Sequence, residues 1–151
     1  MTLREAVLLV GEDDAFAMYA EYLAFQGLEA HARSSPAEAL DALGQIQPSV
    51  IVSELVFRGG LAAGCEFLEA IRSDPSTREA IVIVVSGYVR SADAELARRY
   101  GADQFFVKPL LPEALSAAVR TALDSAREGR RPEWRGPTVA TDRRQQRRRK
   151  T

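Results

Sequence analysis

Cysteine and histidine are almost absent, Cys65 and His31 each being the only residue of its kind in a chain of 151. One thiol cannot form an internal disulfide, and one cysteine with one histidine cannot build a Cys/His zinc cage. Long apolar runs are missing as well. The most apolar stretch, Ile81 to Val85, falls far short of the ~18 residues of a membrane span, and no basic-then-apolar leader opens the chain. These absences lead to the expectation of a protein that stays where it is made, in a reducing cytoplasm. Proline is scarce, at 7 residues, whereas hydrophobic residues make up 46% and charged ones 27%. Such a composition excludes a fibrous or wholly disordered chain, and the length is that of one ordinary domain.

The charge is unevenly spread. Residues 1–123 carry 10 basic and 17 acidic side chains, a net of −7, and residues 124–151 carry 10 basic and 4 acidic ones, a net of +6. An acidic body is therefore followed by a basic end. After about Glu128 the apolar spacing stops and Gly129, Pro132, Gly136 and Pro137 appear among arginines. Trp134 and Val139 are the only large apolar groups there, too few to offset the entropy of ordering the segment. The expected division is a domain over 1–127 and a flexible, arginine-rich tail over 128–151.

Within the body, short apolar runs alternate with segments whose apolar residues recur three and four apart, the pattern of strands alternating with helices. The strand candidates are Ala6–Val10, Glu29–Ala32, Val50–Val52, Ile81–Val85 and Gln104–Val107. Nearly continuous apolar character at the first, third and fourth is what strands covered on both faces require, while the weaker second reads as an edge. Ser35-Pro36-Ala37-Glu38 reads as a capping box with proline at the first helical position. Asp74-Pro75 ends the third helix, and the last, from about Pro112, sets Leu115, Ala118, Val119, Ala122 and Leu123 on one stripe. Tyr19, Tyr22 and Phe25 read as core at helical spacing, Cys65 as a small buried hydrophobe and His31 as a surface residue. Five such βα units with right-handed crossovers give a doubly wound parallel α/β sheet.

In such sheets ligands bind beyond the carboxyl ends of the strands. The residues there are Gly11-Glu12-Asp13-Asp14, Glu54, Ser86-Gly87 and Lys108-Pro109. Carboxylate oxygens suit the octahedral shell of Mg²⁺, and a lysine beside them can hold an anionic group. Two roles stay open for Lys108, which can equally serve as a structural bridge to Glu54 or Asp13. Glu12, Asp13 and Asp14 can likewise be a loop that starts a helix and favours its dipole.

Order, spacing and residue type at these positions resemble the receiver domain of two-component response regulators, the CheY-like domain, over roughly residues 5–125. The resemblance implies a flavodoxin-like (βα)5 fold with strand order 2-1-3-4-5. It implies an acidic pair for Mg²⁺ at Glu12 and Asp13, a phosphoacceptor at Glu54, phosphate-site residues at Ser86, Gly87, Lys108 and Pro109, and a switch aromatic at Phe105. It also implies an output surface on the fourth helix, fifth strand and last helix, roughly residues 92–100, Phe105 and residues 112–122. The sequence departs from the family at the decisive position, because the family has aspartate where Glu54 stands. One more methylene moves the nucleophilic oxygen by about a bond length, enough to spoil in-line attack. Ser53 cannot substitute, since neighbouring strand residues point to opposite faces. Gly11 before the acidic pair, Arg58 where the family often has proline, and a stretch from Glu54 to Gly64 about two residues longer are further departures.

The expectation is a pseudo-receiver: a non-enzymatic signalling module that works by contact with protein partners of a bacterial pathway, independently of aspartyl phosphorylation, with Mg²⁺ as the one cofactor to consider. The alternatives are a regulator that still responds to phosphate or Mg²⁺, and an adaptor whose basic tail (Arg143, Arg144, Arg147, Arg148, Arg149 and Lys150) makes weak contacts with a polyanion. A flavin- or nucleotide-binding enzyme is disfavoured, because the acidic first loop would repel phosphate.

Overall fold

The computed structural model describes residues 5–87 and 90–140. The elements run β1 (Ala6–Val10), α1 (Asp14–Phe25), β2 (Glu29–Arg33), α2 (Pro36–Ile46), β3 (Val50–Ser53), α3 (Leu61–Ser73), β4 (Ile81–Ser86), α4 (Ser91–Arg99), β5 (Gln104–Val107), α5 (Pro112–Arg127) and β6 (Pro137–Val139). All strand pairs are parallel, in the order β2-β1-β3-β4-β5-β6. The expected flavodoxin-like order is present, with a sixth strand added at the β5 edge.

Alternation along the strands sends side chains to two cores. Leu8, Val10, Ile51, Val82, Val84 and Phe105 meet α2, α3 and α4 on one face. Val7, Leu9, Val50, Val52, Ile83 and Val85 meet α1 and α5 on the other. Both faces are covered, which is why β1, β3 and β4 read as apolar without alternation. Phe105 and Phe106 are both used, one in each core.

The helix punctuation is largely as expected. Ser35 caps α2 by accepting from the Glu38 N–H at 3.2 Å. The Glu38 carboxylate reaches back to Ser34, accepting from its N–H at 3.1 Å and its hydroxyl at 2.8 Å. The reading of Phe25 as core does not hold, for it is 94% exposed. Six residues at 3.6 per turn carry it about two-thirds of a circle round α1 from Tyr19. The buried stripe is instead Phe16, Tyr19, Ala20 and Leu23.

The expectation of a flexible chain from about Glu128 does not hold for residues 129–140. From 131 to 140 exposure alternates strictly, with Pro132, Trp134, Gly136, Thr138 and Ala140 turned towards the body. Trp134 packs on the α2–α3–α4 side and Ala140 is buried on the α1–α5 side, so the segment wraps the β5 edge. The segment needs few apolar groups of its own, because an extended segment docking on a finished sheet draws backbone hydrogen bonds and a ready core from its neighbour. Residues 141–151, with the whole arginine run, lie outside the described residues.

Arg72 fastens the lower end of this edge. Its guanidinium donates to the carbonyls of Ala80 (2.6 Å), Arg78 (2.8 Å) and Gly101 (2.6 Å) and to Asp103 Oδ2 (2.9 Å). Asp103, 9% exposed, also accepts from the Val82 N–H at 2.8 Å. Elsewhere in the sheet, α3 lies so close to the loop after β3 that a Cβ on Gly64 would stand 1.7 Å from the Leu55 carbonyl oxygen. Gly64→Ala is therefore expected to destabilise the domain by about 3 kcal/mol, the upper end of overpacking costs, read by urea denaturation. A loss under about 0.5 kcal/mol would show that α3 is not wedged against Leu55.

Candidate functional site

Parallel pairing puts the carboxyl ends of β1, β3 and β5 on one rim of the sheet, with β4 between β3 and β5, and the side chains of Asp13, Glu54 and Lys108 meet there. The Lys108 ammonium is hydrogen bonded to Glu54 Oε1 and lies 3.2 Å from Asp13 Oδ2. Side-chain exposure is 14% for Glu54 and 21% for Lys108, so the contact is shielded on most sides. Beneath it the Phe16 ring faces the ammonium at 5.2 Å, a cation–π distance. A Cβ on Gly11 would sit 2.2 Å from that ring, which accounts for glycine before the acidic pair. Tyr19 donates its hydroxyl to the Leu110 carbonyl at 2.6 Å, tying α1 to the loop that follows Lys108. Phe16 and Tyr19 escaped the sequence reading as parts of the site; the signal was the conjunction of Gly11 with two aromatics on the first turns of α1.

The acidic pair does not act as a pair. Asp13 is the N-cap of α1, its Oδ1 accepting from the Ala15 N–H, while its other oxygen faces Lys108. Glu12 is turned to the β3–α3 loop, where it accepts from the Arg58 N–H and lies 3.6 Å from Arg58 Nε. Proline at 58 would have no N–H to offer, so one departure from the family pattern explains the diversion of another residue. Phe57 and Gly60 close that loop through a short antiparallel bridge, with Phe57 stacked edge-on against Phe67 at 6.4 Å.

Asp14 lies in the first turn of α1 and is exposed. Among the described residues no three His, Cys, Asp or Glu side chains come together to hold a metal ion. Mg²⁺ needs several oxygens aimed at one point; here an ammonium lies between two of the carboxylates and the third looks elsewhere. The residues as placed do not fit the ion, and the convergence expected of Glu12, Asp13 and Asp14 on Glu54 reduces to Asp13 and Lys108.

Ser53 turns away as expected, donating its hydroxyl to the Glu54 carbonyl at 2.7 Å. Ser86 is buried, and its carbonyl accepts from the Lys108 N–H at 3.0 Å. Gly87 lies against Lys108 with room for a Cβ, whose contacts at 3.7 Å would be ordinary. The Lys108–Pro109 bond is cis. Phe105, at 1% exposure, points into the core.

Burial is the largest influence on Glu54 and pushes its carboxyl above the ordinary glutamate range; Lys108 pulls it down, while Asp13 and Glu12 add to the rise. For Lys108 burial acts to lower the ammonium, but the hydrogen bonds and charges of Glu54 and Asp13 outweigh it and carry the group above the ordinary lysine value. Asp13 is held below the usual aspartate range, first by the Ala15 N–H and then by Lys108, against the opposing effect of burial.

Comparison with known proteins agrees with this fold. The sequence model of the response regulator receiver domain matches residues 7–120. Among curated proteins, the DNA-binding response regulators MtrA of Mycolicibacterium smegmatis and of Mycobacterium tuberculosis H37Rv are each 25% identical over 123 residues, covering 81% of this chain and 52% of theirs. The chain thus spans about half the length of the curated relatives it matches. Among solved structures, a CheY-like receiver protein from Methanospirillum hungatei superposes with a TM-score of 0.74 at 22% identity, covering 82% of this chain and 97% of that one. The chemotaxis response regulator CheY4 of Vibrio cholerae gives 0.70 at 22% identity, over 78% and 98%. The chain belongs to the response regulator receiver domain family and is the receiver domain of a two-component response regulator. No helix among the described residues is long and apolar enough to cross a membrane.

Replacing Lys108 by methionine leaves the half-buried Glu54 without its cation. A loss of about 2 kcal/mol is expected at pH 7, below the ~3–5 of a fully buried pair because both groups keep some solvent. Glu54 has a raised folded pKa, so its unpaired charge costs nothing where it is protonated in both states. The difference from wild type should shrink as pH falls through the raised pKa of Glu54 and be largely gone by about 4.5, the ordinary glutamate value. Denaturation of both proteins across this range checks it; a difference independent of pH would place the cost elsewhere.

Proposed function

We propose that this receiver signals through contacts with protein partners, without an acyl phosphate, and that Glu54 holds its switch region by a permanent ion pair with Lys108. The observation that carries the reading is the Glu54–Lys108 hydrogen bond between the ends of β3 and β5. In the family pattern an aspartate gains a phosphoryl group there. Glutamate places its oxygen about 1.5 Å further out, and misplacement of about 1 Å costs on the order of 10²-fold in rate. The same extra methylene lets the carboxylate reach the ammonium. Glu54 supplies one negative charge and two oxygens where an acyl phosphate would bring nearly two charges and three, so the mimicry is partial. Lys108 follows β5 directly, and the pair fixes the upper end of the strand that carries Phe105. The face formed by α4, β5 and α5 is the output surface on this reading. Mg²⁺ has no part in it, since the carboxylates do not converge.

Incubation with a small-molecule phosphodonor and Mg²⁺ should leave Glu54 unmodified by mass spectrometry; phosphate on Glu54 in the wild type would overturn the reading. Glu54→Gln removes the charge with little change of shape, and amide resonances from Lys108 back to Phe105 should then shift. If only the immediate neighbours of residue 54 move, no switch is being held and the domain is a rigid scaffold.

A further inference from the structure

The outer edge of β5 is covered by the chain's own residues 131–140, and the cover is made by specific side chains. Pro137, Thr138 and Val139 pair with Phe105, Phe106 and Val107. Arg131 Nη1 reaches both oxygens of Asp103 at 3.1 Å, and its Nη2 donates to the Arg78 carbonyl at 3.2 Å. The Arg98 guanidinium lies 5.7 Å from the centre of the Trp134 ring. Gly129, at φ 67°, follows α5, and Gly136, at φ 73°, turns the chain into β6, conformations that cost glycine little.

Without these residues β5 would be an edge strand presenting unpaired N–H and C=O groups, a template for another strand. Yet the hold is modest. The strand is three residues long, and its charged anchor, Arg131, is 43% exposed on a carboxylate that keeps its bonds to Arg72 and the Val82 N–H when Arg131 leaves. Release therefore breaks few bonds on which the rest of the fold depends.

We infer that the β5 edge is a strand-accepting interaction surface whose resident occupant is residues 131–140 of the same chain, and that it takes other partners only when this segment is displaced. The side chains define the partner: an extended peptide with a guanidinium for Asp103, an aromatic ring three residues on for the α4 side, and a short strand to pair with β5. This face is the middle of the output surface proposed above, but the inference rests on the edge geometry and not on how Glu54 acts.

The test uses the full chain carrying Arg131→Glu and Trp134→Ala, with amide hydrogen exchange as the readout. Amides of residues 104–107 and 138–140 should exchange about tenfold or more faster than in wild type, while those of β1 and β3 keep their rates. A peptide of residues 131–140, added at millimolar concentration to match a tethered segment, should restore slow exchange in β5 of the variant and leave wild type unchanged. The same peptide with both substitutions should restore nothing. Unchanged β5 exchange in the variant, or no restoration by the peptide, overturns the inference. So does sedimentation of wild type as a dimer with the segment exchanged between copies. Should the double variant lose protection in β1 and β3 as well, Arg131→Ala alone decides: general unfolding there would make the segment part of the core and refute displacement.

Discussion

A single ammonium in a parallel sheet organises the functional end of this molecule. Parallel pairing places the carboxyl ends of β1, β3 and β5 on one rim, so acidic groups at two of them would repel each other if no cation followed the third. Lys108 is that cation. Its charge is shared between Glu54 and Asp13, and the ammonium lies over the Phe16 ring. Gly11 makes room for Phe16, and Tyr19 ties the loop after Lys108 to α1. Much of the first helix and the last loop is thus arranged around one half-buried charge.

The sheet, the helix order and the list of rim residues were legible because each rests on a local signal. Apolar runs at residues 7–10, 50–52 and 81–85 announce strands buried on both faces, and Ser35-Pro36 announces a helix start. What sequence could not settle was which of several nearby charges would pair. Glu12 and Asp13 are adjacent and chemically alike, but one caps a helix and faces Lys108 while the other turns to a backbone N–H at Arg58. That choice depends on the path of the β3–α3 loop, which spacing alone does not give. Phe25 was misjudged for a simpler reason, since a three-residue spacing drifts round a helix and two steps of it leave the buried stripe.

The C-terminal segment teaches the opposite lesson. Its content of apolar residues predicted no structure, and by itself it has too little to fold. It is ordered over residues 131–140 because the edge of a complete sheet supplies what the segment lacks: backbone partners in β5, the carboxylate of Asp103 and the α4-side surface beneath Trp134. The alternation of Pro132, Trp134, Gly136, Thr138 and Ala140 was present in the sequence, but with small residues at most inward positions it carried little hydrophobic contrast. Edge protection and the rim pair act on the same strand, one along its side and one at its end, so β5 is constrained by both.

If the rim depends on this pair, Glu54 and Lys108 are energetically coupled. A double-mutant cycle measures this directly, comparing the unfolding free energies of wild type, Glu54→Gln, Lys108→Met and the double variant at pH 7. Residues in contact typically couple by about 0.5–3 kcal/mol. A coupling of at least about 1 kcal/mol in favour of the pair is expected here, whereas additive losses, with no coupling beyond about 0.3 kcal/mol, would show that the rim does not depend on the pair.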